Sequence, residues 1–172
     1  MSAPGGRATD GIVMGAGELH DFMTGAFDRP LDWEIERVDL DGVRVRQPVR
    51  GGDLRPGGTV SGPTLMALAD GAAYITILSR IGPAALAVTT NLNINFLRRP
   101  RPVDLVADAR LIKLGRTLAL CEVLLYSDGG DAADLERPVA QSVVTYSMAL
   151  LATKDSHTND SHTTDRHTEG TP

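Results

Sequence analysis

Leu19, Phe22, Met23 and Phe27 recur at the three- and four-residue spacing of one helical face, which predicts a short amphipathic helix over Glu18 to Phe27. From Leu31 to Val49 β-branched residues alternate with charged ones around Asp41-Gly42, the pattern of an antiparallel hairpin closed by an Asp-Gly turn. A glycine-rich loop, Arg50 to Gly58, follows. Pro63 to Ser79 is then apolar nearly all round, as expected of a buried helix. Ser61-Gly62-Pro63 supplies its start, because serine accepts from an orphan amide and proline is tolerated in a first turn. Arg80, Ile81 and Gly82-Pro83 supply its stop. Four further runs read as strands: Ala85 to Leu97, Val103 to Leu114, Thr117 to Tyr126 and Pro138 to Leu150. Gly115 and the segment Ser127 to Asp131 turn the chain between the last three. One hairpin, one buried helix and four antiparallel strands make an α+β fold.

Three departures from this pattern carry candidate chemistry. Asp70 is the one charge between Pro63 and Ser79, with Met66, Ala67, Ala73, Tyr74 and Ile77 on its own face. A carboxylate so placed either has a polar partner or is pushed towards its neutral form by desolvation, and either condition marks a functional candidate. The alternative is a structural role at a subunit edge. In the run from Val88 to Phe96, strict alternation sets Thr89, Asn91, Asn93 and Asn95 on one face. Such a row lines a polar cleft, pairs across a subunit boundary, or is simply solvated. Finally, Arg98, Arg99 and Arg101 follow that strand, and Lys113 and Arg116 flank the next turn at Gly115. Cations on two neighbouring loops suit a phosphorylated ligand, although solvated charges would look the same.

Composition narrows the chemistry. The 172 residues make room for one domain, with 42% apolar and 23% charged residues and a net charge of −5. No basic run suggests nucleic acid. Of four histidines, His157, His162 and His167 lie near the C-terminus, so the body of the chain has only His20 and one thiol, Cys121. A Ser-His-Asp triad, a Cys-His pair, a structural zinc site and a disulfide framework each need more than that. His20, beside Asp21 between apolar positions, reads as a surface side chain before a catalytic one. Chemistry is therefore expected on carboxylates, hydroxyls and backbone amides, without metal or cofactor.

The ends differ from the body. Residues 1 to 16 are glycine-rich and expected to be loose, with no secretory signal pattern. From Ser156 a histidine-bearing pentad repeats with almost nothing apolar, so 152 to 172 is expected to be a disordered tail. Its evenly spaced histidines offer at most a loose metal site. The longest apolar stretch, Val60 to Ser79, contains Asp70, which a bilayer would penalise by about 3 kcal/mol. A cytoplasmic protein, with its domain over 17 to 151, is expected.

The segments GGTVSGPTLMALADGAAY, AVTTNLNINFLRRP, ARLIKLGRTLAL and PVAQSVVTYSM, in this order between Leu31 and Leu150, resemble the PaaI-like acyl-CoA thioesterases of the hotdog fold. The resemblance implies a curved antiparallel sheet wrapped around a long helix, and a homodimer or dimer of dimers with active sites at the interface. It also implies hydrolysis of a small or medium acyl-CoA, aromatic acyl groups included. By position, Asp70 corresponds to the family's acid, which acts as general base or nucleophile. Gly62 corresponds to the amide that polarises the thioester carbonyl, and Thr89 to the hydroxyl that positions water. Two positions depart from the pattern: Ser61 stands where the family commonly has histidine, and Arg55 where it often has asparagine. Arg55 would then supply a cationic donor or hold Asp70 ionised. Tyr74 and Asn91 are expected to line the substrate cleft, and Arg98, Arg99, Lys113, Gly115 and Arg116 to meet the CoA phosphates. A non-catalytic acyl-CoA sensor, or a hotdog hydratase, are the alternatives.

Overall fold

Helix α2 (Gly62–Ile81) begins one residue before and ends two after the run predicted for it. Ser61 has extended backbone and its Oγ accepts from Thr64 N at 3.3 Å, while Pro63 occupies the first turn. At the far end Gly82 takes a φ of 81°, a value that favours glycine, and its N–H reaches Leu78 O at 2.9 Å. Leu65, Leu68, Ile75, Ile77 and Leu78 are fully buried, each contributing about 1.5–3 kcal/mol. By length and composition α2 could cross a membrane, but most of it is buried inside the fold.

The computed structural model describes residues 11–27, 31–84 and 86–148; the tail with its three histidines lies outside them. Strands β1 (Glu34–Val38), β2 (Val43–Gln47), β5 (Val88–Phe96), β6 (Asp104–Leu114), β7 (Leu118–Asp128) and β8 (Ala140–Ser147) form one antiparallel sheet in the order β1-β2-β6-β7-β8-β5. A two-stranded ribbon, β3 (Leu54–Arg55) with β4 (Thr59–Val60), leads into α2. The inward positions are buried and mostly small: Val43 and Val45, Ala107 and Ala109, Ala119 and Cys121, Ala140 and Val144. Small side chains bring the sheet close to α2. Helix α1 (Ala16–Phe27) docks through Leu19 and Met23, and Val13 N–H donates to Ser79 O at 2.7 Å. The hairpin forms at Asp41-Gly42, with Asp39 Oδ1 accepting from both amides.

Two sequence expectations are corrected here. The segment Ser127 to Asp131 is not all turn: β7 runs on through Asp128, and a 3-10 turn over Ala132–Glu136 precedes β8. The reason is Arg46, which reaches across β6 to Asp128 at 2.7 Å and also pairs with Glu36. With Gly130 N–H it holds the Asp128 carboxyl below the usual range. The second correction concerns β5. A bulge between Thr89 and Asn91 shifts the register, so Thr89 faces Tyr146 whereas Asn91 faces Thr145. The extra residue turns Thr89 to the α2 side with Leu92, Ile94 and Phe96, and leaves Asn91, Asn93 and Asn95 on the outer face. Thr89 and the asparagines do not share a face.

Candidate active site

Asp70 lies at the middle of α2, half-buried, and has polar partners. Its Oδ1 accepts from Thr89 Oγ1 at 2.7 Å and from Tyr146 Oη at 2.9 Å; Tyr146 Oη is also 3.1 Å from Asp70 O. The two donors come from neighbouring strands: Tyr146 is inward by the alternation of β8, and Thr89 because the β5 bulge turns it to the helix side. Burial pushes the Tyr146 phenol well above its ordinary range; the Thr89 hydrogen bond opposes this and the nearby Asp70 charge adds to it. Tyr146 is therefore a neutral donor. Cys121 is no nucleophile, since burial pushes its thiol up to about 12.

Beside Asp70 opens a cleft of about 610 Å³ walled by Met23, Phe27, Leu31, Trp33 and Tyr74, with Gln47 as a polar lining residue. Tyr74, expected at the substrate cleft, is in this wall. It stacks on Tyr146 with ring centroids 5.6 Å apart, and its hydroxyl donates to Ala84 O at 3.0 Å. Gly71 lets Trp33 lie directly on the helix: a Cβ there would sit 2.1 Å from Trp33 Cζ3. Glycine inside a helix costs about 1 kcal/mol against alanine, so this close approach gives the residue a reason.

A second hollow, of about 500 Å³, opens at the start of α2 between Gly62, Arg55, Phe96, Arg98 and Arg99. Arg55 Nε donates to Thr59 Oγ1 at 3.0 Å, Arg98 to Pro138 O at 2.7 Å and Arg99 to Gly57 O at 2.9 Å. Among the described residues none of the three is paired with a carboxylate. Gly62 N–H has no acceptor there and stands at the positive end of a 20-residue helix. Three guanidiniums without a carboxylate partner among the described residues, beside a free helix amide, favour an anion, although the Asp53 carboxylate approaches the same first turn at Thr64 Oγ1 (3.5 Å).

Several expectations need revision on this geometry. Arg55 belongs to the hollow at Gly62 and does not touch Asp70 of its own chain. Ser61 is engaged as the helix cap, its Oγ also 2.8 Å from Thr64 Oγ1. Asn91 is exposed on the outer face, away from the cleft. Lys113, Gly115 and Arg116 are not beside Arg98 and Arg99. Phe96 is level with Ala140, Leu125 and Ala107, whereas Thr89 is level with Tyr146, Ala119 and Leu114. The two loops sit at opposite ends of β6, about 30 Å apart at strand rise. Gly115 serves the hairpin turn, its N–H donating to Leu118 O at 2.9 Å. His20 is exposed, and among the described residues no cluster of three potential ligands could hold a metal.

Tyr146 and Trp33 are absent from the sequence-based set. Tyr146 ends the inward alternation Ala140, Ser142, Val144, and so reads as core. Trp33 could have been flagged by its partner, because a glycine in the middle of a buried helix signals a close approach.

Residues 57–133 match the family model of the Thioesterase superfamily. A protein from a Silicibacter species, provisionally named a thioesterase, is similar in sequence and fold, with 41% identity, coverage of 79% of this chain and 92% of its own, and a TM-score of 0.70. Zebrafish thioesterase superfamily member 2 is similar in fold, at 20% identity, 78% and 99% coverage and a TM-score of 0.66. A protein from Thermoplasma acidophilum, provisionally named an esterase, is 21% identical over 109 residues, 63% of this chain and 82% of its own. With a six-stranded antiparallel sheet wrapped on a single long helix, this chain belongs to the thioesterase superfamily and has its hotdog fold.

Proposed function

We propose that the chain hydrolyses an acyl-CoA thioester to the free acid and CoA. The observation that carries this reading is Asp70: a carboxylate at an aromatic-walled cleft, with one oxygen held by two neutral hydroxyls and the other without a donor among the described residues. As general base, Asp70 takes a proton from water as that water attacks the thioester carbonyl carbon; as nucleophile it attacks that carbon itself, and the mixed anhydride left when the thiolate departs is opened by water to the free acid and the restored carboxylate. In either case the carbonyl oxygen becomes an anion that a backbone amide can stabilise, and the C–S bond breaks to release the CoA thiolate, which is then protonated. Thr89 has its proton on Asp70, so it orients water only by accepting from it. A cleft of about 610 Å³ suits a small or medium acyl group, aromatic groups included.

The amide and the carboxylate come from two copies of the chain in this reading. Gly62 and Asp70 are eight residues apart on one helix, about 12 Å along its axis. An attacking water and an amide donor each need to be about 3 Å from the same carbonyl. Among the described residues strand β5 is an unpaired sheet edge nine residues long, with Val88 and Phe96 exposed along it, which supports a second copy pairing there. A partner so joined supplies the Gly62 amide, and the hollow of Arg55, Arg98 and Arg99 receives CoA phosphate.

Thiol release across short, medium, aromatic and long acyl-CoAs tests the reading. Turnover in one chain-length or aromatic class is expected. Saturable acyl-CoA binding with no free CoA would replace it with a non-catalytic sensor, and accumulation of a hydrated acyl-CoA with a hydratase.

A further inference from the structure

We infer that Tyr146 is a positioning residue for Asp70: together with Thr89 it fills Oδ1, so that Oδ2 is the oxygen presented to water or thioester. The inference rests on the hydrolase reading and goes beyond it. A carboxylate is two-fold symmetric about its terminal torsion, and a carboxylate held by a single donor can exchange its oxygens by rotation. Here both donors meet the same oxygen, Thr89 at 2.7 Å and Tyr146 at 2.9 Å. An ionised carboxylate oxygen has about two lone-pair sites, so with the single phenol proton on Oδ1, the nearer of its two acceptors, Oδ1 is filled and Oδ2 keeps its acceptor capacity.

Tyr146 is suited to this task by what holds it. Its backbone lies in β8, between β7 and β5. The residue is 4% exposed and its ring is stacked on Tyr74 at an interplanar angle of 11°, and Tyr74 is itself tied to Ala84 O. A chain of contacts from the loop after α2 through two rings thus ends on one oxygen of Asp70. The phenol is neutral because burial raises its pKa, so it acts as a fixed donor and exchanges no proton with substrate.

Tyr146→Phe removes the hydroxyl and keeps the stacked ring. With the full-length chain and its best acyl-CoA, kcat is expected to fall about 10- to 100-fold, with KM within about twofold of wild type and a melting temperature lowered by no more than a few degrees. Tyr146→Ala provides the second arm: exogenous phenol should restore kcat, whereas benzene, which refills the cavity without a donor, should not. Unchanged kcat in Tyr146→Phe, a parallel change in KM and melting temperature, or equal rescue by benzene and phenol would overturn the role. Those results, with an active wild type, leave the hydrolase reading standing. A wild-type chain that releases no thiol overturns both.

Discussion

The middle and the start of α2 are built in opposite ways. Around Asp70 the surroundings are aromatic, and the partners are hydroxyls from β5 and β8 within the same chain. Around Gly62 the surroundings are cationic and exposed, and the guanidiniums are held by carbonyls and a hydroxyl that leave their charge uncompensated. One place holds a negative group with internal support; the other waits for a negative group from outside. The helix explains the division: its first turn offers the Gly62 amide and a positive dipole end, while its interior offers only side chains. In the proposed reaction the aromatic cleft takes the acyl part, the Gly62 amide meets the carbonyl oxygen, and the arginines around it meet the phosphates of CoA.

The sharpest break in this comparison is Asp70→Ala, expected to lower kcat by about 10²–10⁴ with an unchanged melting temperature; near-wild-type turnover would remove Asp70 from the chemistry. At the other end, Arg98→Ala with Arg99→Ala should raise KM for acyl-CoA about tenfold and leave KM unchanged for an acyl-N-acetylcysteamine thioester, which has no phosphate. Equal effects on both substrates would mean that the arginines act on the fold. Between the ends, Gly71→Ala forces Trp33 off the helix; overpacking of this kind costs about 1–3 kcal/mol, partly offset by helix propensity. Trp33 is the chain's one tryptophan, so a shift in its fluorescence should accompany a lower melting temperature.

Arg46→Ala touches neither end and sharpens the comparison as a control. Its loss should cost about 1 kcal/mol at neutral pH and leave kcat unaltered. Because Arg46 holds the Asp128 carboxyl below its unfolded value, that stability is present above the unfolded carboxylate range and is lost as pH falls through the folded value. The gap between wild type and variant, measured by urea unfolding, should therefore close below about pH 4. A gap that persists there would show that Arg46 acts by packing.

Asp70 and its helix were legible because a lone charge in an apolar run breaks a strong pattern. The role expected of Gly62 came from the family resemblance, while Tyr74 lies one turn from Asp70 on the same helical face. Thr89 was found as a residue but set on the wrong face, since a bulge inserts one residue without any mark in the alternation. The cations were grouped by closeness in sequence, yet the loops before and after one long strand must lie at its two ends. Tyr146 stayed hidden because its ring satisfies the core pattern and only its hydroxyl departs from it. Pairing between non-consecutive strands, here β5 with β8, decides which hydroxyl meets which carboxylate.

Cooperation between Asp70 of one copy and the Gly62 amide of another is read by mixing two defective chains. Gly62→Pro deletes the amide at a position where proline is tolerated, and Ser61 already has the extended φ of −75° and ψ of 152° that precede proline. Asp70→Ala and Gly62→Pro chains should each be nearly inactive alone. Refolded together in equal amounts, they should recover about one quarter of wild-type thiol release per chain, because half of the dimers are mixed and each of those rebuilds one intact site of two. No recovery on mixing, or full activity of Gly62→Pro alone, would contradict the account.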